Sequence, residues 1–95
     1  MFTVELSRQA QKDLQKLKQT GLTNAAKELV VILKNNPFQT QPPFEKLVGN
    51  LAGKYSRRLN IKHRLVYMVT GNTVIILRMW SYYDYSSTIG IANTK

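Results

Sequence analysis

The chain has no cysteine, one histidine and five acidic residues among its 95. Without thiols there are no disulfides and no thiolate metal site. With His63 as the single imidazole, a zinc site built on histidines is not expected either, and neither a metal nor an organic cofactor is implied. No apolar run approaches the roughly 20 residues that span a bilayer. The opening "MFTVELSRQAQK" lacks the basic-then-apolar order of a secretory signal. These absences suit a cytoplasmic protein with no membrane partner. There is no repeat, linker or low-complexity segment. The length predicts one domain, residues 1–84, followed by a small polar C-terminal tail, 85–95.

What the chain has in excess is positive charge. Fourteen Lys and Arg stand against the five acids, a formal net charge of +9, while 43% hydrophobic content is that of a folded domain. A surplus of this size in so small a chain points to a polyanionic partner, among them nucleic acid, the ribosome or an acidic protein.

The hydrophobic period changes along the chain. "FTVEL" (2–6) alternates and predicts a first strand. Ser7 is a fit N-cap for a helix carrying Ala10, Leu14 and Leu17, with Gly21 as its stop. Thr23 or Asn24 can cap a second helix whose apolar face holds Ala25, Ala26, Leu29, Val30, Ile32 and Leu33, and Pro37 ends it. The two helices are expected to form an antiparallel hairpin. After the "QTQPPFE" loop the period falls to 2. "KYSRRLNI" (54–61), "HRLVYMV" (63–69) and "TVIILRMW" (73–80) predict strands, the last two joined at "TGNT", and "EKLV" a short further one. The implied class is α+β: an N-terminal strand and two helices on one face of a twisted, mainly antiparallel sheet.

A sheet covered on one face leaves the other available. In "HRLVYMV", Leu65, Tyr67 and Val69 share the parity expected under the helices, which puts Arg64 on the open face. Arg57 or Arg58, Arg64 and Arg78 could converge there on one anion, since neighbouring strands place side chains about 5 Å apart and a guanidinium grips phosphate with two donors. Lys46 and Lys54 flank this run. Trp80, Tyr82 and Tyr83 follow it, and aromatics beside arginines suit stacked bases. Glu45 stands alone as an acid in front of these cations. Each feature also has a plain structural reading: solvated strand arginines, aromatics in core and edge packing, a surface glutamate paired with a neighbouring cation.

The segment "PPFEKLVGNLAGKYSRRLNIKHRLVYMV" resembles the YoeB/Txe branch of the RelE/ParE toxin superfamily, with "YSRRL" and "HRLVY" in register. The resemblance implies the RelE-like fold and the toxin of a bacterial type II toxin–antitoxin pair. It implies a ribosome-dependent endoribonuclease, an mRNA interferase that cleaves mRNA in the 30S A site by attack of the 2′-hydroxyl on the adjacent phosphate. Implied partners are a cognate antitoxin, ribosomal RNA, mRNA and a second copy of the chain. By position, Glu45 matches the general base, Arg64 the phosphate-stabilising arginine and Tyr83 a substrate-seating tyrosine. The family's acid histidine falls on Tyr82, a departure that leaves the acid step open. Two other readings stand beside this one: a superfamily toxin with a protein target such as DNA gyrase, and a catalytically weakened variant or RNA-binding module.

Overall fold

The computed structural model describes residues 1–81. Strand β1 (Thr3–Leu6) leads into helix α1 (Arg8–Leu17), helix α2 (Thr23–Asn35), then β2 (Phe44–Lys46), β3 (Lys54–Arg58), β4 (His63–Thr70) and β5 (Thr73–Ser81). The five strands form one sheet in the order β1-β5-β4-β3-β2. β1 runs parallel to β5, and the other pairs are antiparallel. The architecture is the α+β class that the change of period implies.

Local chemistry accounts for most boundaries. The Ser7 hydroxyl accepts from the Ala10 N–H at 3.0 Å and so caps α1. α2 begins at Thr23 behind Leu22, which gives no side-chain cap; the expected cap at Thr23 or Asn24 is not used, because both residues lie inside the helix. β3 stops at Arg58, three residues short of the expected end. There the Asn60 side-chain oxygen accepts from the backbone N–H groups of Lys62 and His63 at 2.8 and 2.7 Å, and this turn replaces the ladder. The β4–β5 hairpin turns at Gly71, whose φ of 58° a side chain would resist.

The main core lies between the helices and one face of the sheet. Ala10, Leu17, Ala26, Leu29 and Leu33 meet Leu65, Tyr67, Val74, Ile76 and Met79 there. Full burial of a side chain such as Leu17, Leu33 or Leu65 contributes about 2 kcal/mol. Leu65 and Tyr67 take the face expected of them, and Val69 packs on the edge of the same core. The opposite face is less open than the sequence implied. Leu47 and Val66 form a second small apolar cluster with Leu51 and Leu77, and the 3-10 turn Gly49–Leu51 carries Leu51 to it. Among the described residues, nothing of that small cluster covers the end of the face near Glu45 and Arg64.

Candidate functional site

Three strands build the site. Glu45 on β2 stands opposite Ser56 on β3, and Ser56 opposite Val66 on β4. Two residues further along, Arg58 stands opposite Arg64. Because side chains two apart share a face, Glu45, Ser56, Arg58 and Arg64 all project from the same side. They line a cleft of about 500 Å³ closed by Pro42, Pro43, Leu59, Asn60 and Ile61. Arg64 Nη1 donates to Glu45 Oε1 at 3.2 Å. The Arg64 side chain is 12% exposed and that of Glu45 44%. The cation is therefore seated in the protein while the carboxylate faces the opening. Arg58 is exposed at the rim. A carboxylate that can accept a proton and two guanidiniums that can hold an oxyanion thus share one cavity.

Arg57 does not join them. Its register partners are Phe44 and Leu65, on the helix-covered face, and it is 1% exposed. Its guanidinium donates to the carbonyls of Pro42, Pro37 and Gln39 at 2.6, 3.0 and 2.7 Å and to the Tyr67 hydroxyl at 3.2 Å. It also lies over the Phe44 ring, 5.0 Å from the centroid. Tyr67 in turn donates to the Pro37 carbonyl at 2.7 Å. Burial pushes the Tyr67 phenol above its ordinary 10.0, against the opposing pull of Arg57. The expectation that Arg57 contacts RNA is corrected: it is a buried clamp for the 37–42 loop. Prolines at 37, 42 and 43 deprive that loop of amide donors, and its carbonyls turn inward to a guanidinium. Since the loop runs directly into β2, Arg57 fixes the approach to Glu45.

Arg78 is likewise not brought to the cleft. Across β4–β5 the partners of Val66 and Tyr67 are Arg78 and Ile76, so Leu77 is an extra residue and forms a bulge. Leu77 packs with Val66, and Arg78 reaches α1, where its Nε donates to Asp13 Oδ2 at 2.8 Å. Asp13, 3% exposed, also accepts from the Met79 N–H at 2.9 Å and from Gln9 Nε2 at 3.1 Å. Arg78 thereby locks α1 to β5 instead of presenting itself on the open face.

The remaining candidates divide by place. Lys54 shares the Glu45 face but stands outside the cleft lining, level with Met68. Lys46 is exposed and has the opposite parity, beside Tyr55. The backbone of Trp80 is in register with Arg64. Tyr82 and Tyr83, and the tail 85–95, lie outside the described residues. Two residues escaped the sequence reading. Asp13 falls between Ala10 and Leu17 on the buried stripe of α1, and that placement was its signal. Ser56 carried no signal beyond its parity with Glu45. Among the described residues there is no cluster of three His, Asp or Glu able to hold a metal ion.

A small basic domain with two helices and one five-stranded sheet is a fold shared with bacterial toxins. Residues 6–83 match the model of the YoeB-like toxin of bacterial type II toxin-antitoxin systems, and the chain belongs to that family. The YoeB toxin of Escherichia coli K12 is 41% identical over 49 residues, which cover 52% of this chain and 58% of that protein, so the chain spans under two thirds of that relative's length. YoeB of Staphylococcus aureus, solved in complex with YefM, superposes with a TM-score of 0.73 at 32% identity over 84% of this chain and 95% of that one. The S. aureus YoeB dimer superposes with the same TM-score at 33% identity, covering 83% and 94%.

Proposed function

We propose that the chain is the toxin of a type II toxin–antitoxin pair and acts as a ribosome-dependent endoribonuclease on mRNA. The Glu45–Arg64 ion pair at 3.2 Å inside the cleft is the observation that carries this reading. A phosphate entering the cleft competes with Glu45 for Arg64 and frees the carboxylate. Glu45 then removes the proton of the 2′-hydroxyl, and the 2′-oxygen attacks the adjacent phosphorus. The bond to the 5′-oxygen breaks, leaving a 2′,3′-cyclic phosphate and a 5′-hydroxyl. Arg64 and Arg58 hold the non-bridging oxygens as charge accumulates on them. Protonation of the departing 5′-oxygen falls by position to Tyr82, a weaker acid than histidine.

A cleft with one carboxylate beside two guanidiniums is suited to RNA, which carries its own nucleophile. The +9 charge supplies the long-range attraction to ribosomal RNA. An antitoxin with an acidic segment is the partner that would occupy the same cations, as the S. aureus relative solved with YefM suggests, and a homodimer is in keeping with the S. aureus dimer.

The test is to incubate the purified protein with programmed ribosomes and map mRNA ends by primer extension. Cleavage in the A site that requires the ribosome is expected, weaker in Tyr82→Phe and stronger in Tyr82→His. Intact mRNA together with inhibited supercoiling by DNA gyrase would replace this reading by that of a protein-targeted toxin.

A further inference from the structure

Ser56 is fully buried, and among the described residues its hydroxyl has no hydrogen-bond partner. A buried hydroxyl that makes no bond destabilises a fold, and alanine, nearly the same size, would avoid that loss. Ser56 stands directly opposite Glu45 across the β2–β3 ladder, with Cβ atoms about 5 Å apart by ordinary sheet geometry, and both line the cleft. The carboxylate is at present turned to Arg64.

We infer that Ser56 is a positioning residue for Glu45, its hydroxyl receiving the carboxylate when Arg64 leaves it for a phosphate. The inference rests on the endoribonuclease reading and names the partner that reading lacks. A base that gives up its arginine to the substrate needs another donor to stay oriented. Glu45 is half exposed and has room to turn, and the hydroxyl across the ladder is unengaged. One carboxylate oxygen accepting from Ser56 leaves the other for the 2′-hydroxyl proton. Asn60, also at the cleft, commits its side-chain oxygen to the backbone of Lys62 and His63. Among the described residues the charged groups facing Glu45 are Arg64 from β4 and Arg58 from β3, with Lys54 further along β3 on the same face; Lys46, on its own strand, has the opposite parity.

The decisive measurement follows the side-chain carboxyl carbon of Glu45 by NMR through a pH titration, in Arg64→Ala, where the competing arginine is gone. Adding Ser56→Ala to that variant should raise the midpoint by about one pH unit, because a hydrogen bond to the ionised form is lost. In single-turnover cleavage on ribosomes, Ser56→Ala alone should move the acidic limb of the pH–rate profile up by about the same amount. Its melting temperature should be no lower than the parent's. A midpoint and limb that do not move would overturn the inference and leave Ser56 a packing residue, whatever its effect on melting. A parent that does not cut mRNA would sink the endoribonuclease reading, while the carboxyl titration would still decide whether Ser56 serves Glu45.

Discussion

Arg57 and Arg58 are consecutive on β3, and the pleat of the strand sends them to opposite faces of the sheet. Arg57 enters the helix-covered side and is 1% exposed; Arg58 lies at the rim of the cleft. Their partners differ as their faces do. Arg57 is surrounded by backbone carbonyls and aromatic rings, so its four hydrogen bonds organise the protein itself. Arg58 shares a cavity with Glu45 and Arg64 and is available to a ligand. Net charge therefore overstates the binding surface of a basic domain: each cation has to be assigned to a face before it is counted. Arg78 teaches the same through a bulge, and Arg64 is the intermediate case, mostly buried but directed at a carboxylate in the cleft.

The largest effect expected from breaking this contrast is that of Arg57→Ala. Removing the guanidinium leaves the Gln39 and Pro42 carbonyls without their donor and takes one of two donors from the Pro37 carbonyl, which keeps the Tyr67 hydroxyl. Hydrogen bonds to a charged group are worth about 1.5–3 kcal/mol each before relaxation, and with water reaching part of the loop we expect a net loss of about 4 kcal/mol. For a domain of this size that lowers the melting temperature by roughly 20 °C. Arg57→Lys should recover only part of it, since one ammonium cannot reach three carbonyls in the guanidinium's fork. Thermal melts followed by circular dichroism would decide, and a drop of only a few degrees would mean that the loop does not depend on Arg57.

Arg64→Ala should have the opposite signature. Its bridge to the half-exposed Glu45 contributes at most about 1 kcal/mol to stability, so losing that bridge should shift melting far less than Arg57→Ala does. Cleavage should fall by about a hundredfold, the loss typical when one donor to a developing oxyanion is removed. A variant that melts like the parent and still cuts mRNA at the parent rate would reduce Arg64 to a structural strand arginine.

Tyr67→Phe is expected to cost about 1–2 kcal/mol, because the Pro37 carbonyl loses a donor and Arg57 an acceptor. It also has a pH signature. Burial raises the Tyr67 phenol above its ordinary 10.0 in the folded chain. The unfolded chain gives up this proton near pH 10 while the folded chain keeps it. The stability it contributes is thus complete below pH 10 and is lost as pH rises through the folded value. Chemical denaturation across that range should show a falling limb in the parent and a flatter one in Tyr67→Phe; identical limbs would assign the decline to the lysines.

The fold was legible because period and punctuation agree with it. The switch from 3.6 to 2 after the Pro-rich loop separates α2 from β3, and the alternation in β4 put Leu65 and Tyr67 under the helices. Glu45 and Arg64 were paired by resemblance, and the three-strand register brings them together. Three things escaped for physical reasons. The destination of Arg57 depends on loop carbonyls 15 to 20 residues away, which no local pattern reports. The bulge at Leu77 shifts the parity of Arg78 by one residue, and a period-2 reading cannot see an extra residue. The small cluster of Leu47, Leu51, Val66 and Leu77 covers part of the face expected to be open, because a 3-10 turn folds back over it.

The smallest effect sharpens the comparison most, since it asks whether the exposed arginine binds at all. Arg58→Gln keeps a polar, hydrogen-bonding side chain, though a shorter one, and removes its charge. The side chain is exposed, so stability should stay within about 0.5 kcal/mol of the parent. If Arg58 contacts one phosphate of ribosomal RNA or mRNA, its loss removes one counterion-release event. The slope of log affinity against log salt should then become shallower by about 0.7 to 0.9, alongside a modest loss of affinity at low salt. Fluorescence-monitored binding to ribosomes at four or five salt concentrations can resolve that change. Arg57→Lys, which keeps its charge inside the protein, should leave the slope where it was, provided the variant is folded at the temperature used. Parallel slopes for the parent and Arg58→Gln would mean that Arg58 is a solvated strand arginine. The cleft would then bind its phosphate through Arg64 without help from β3, and the division between the two faces would separate a structural arginine from an idle one.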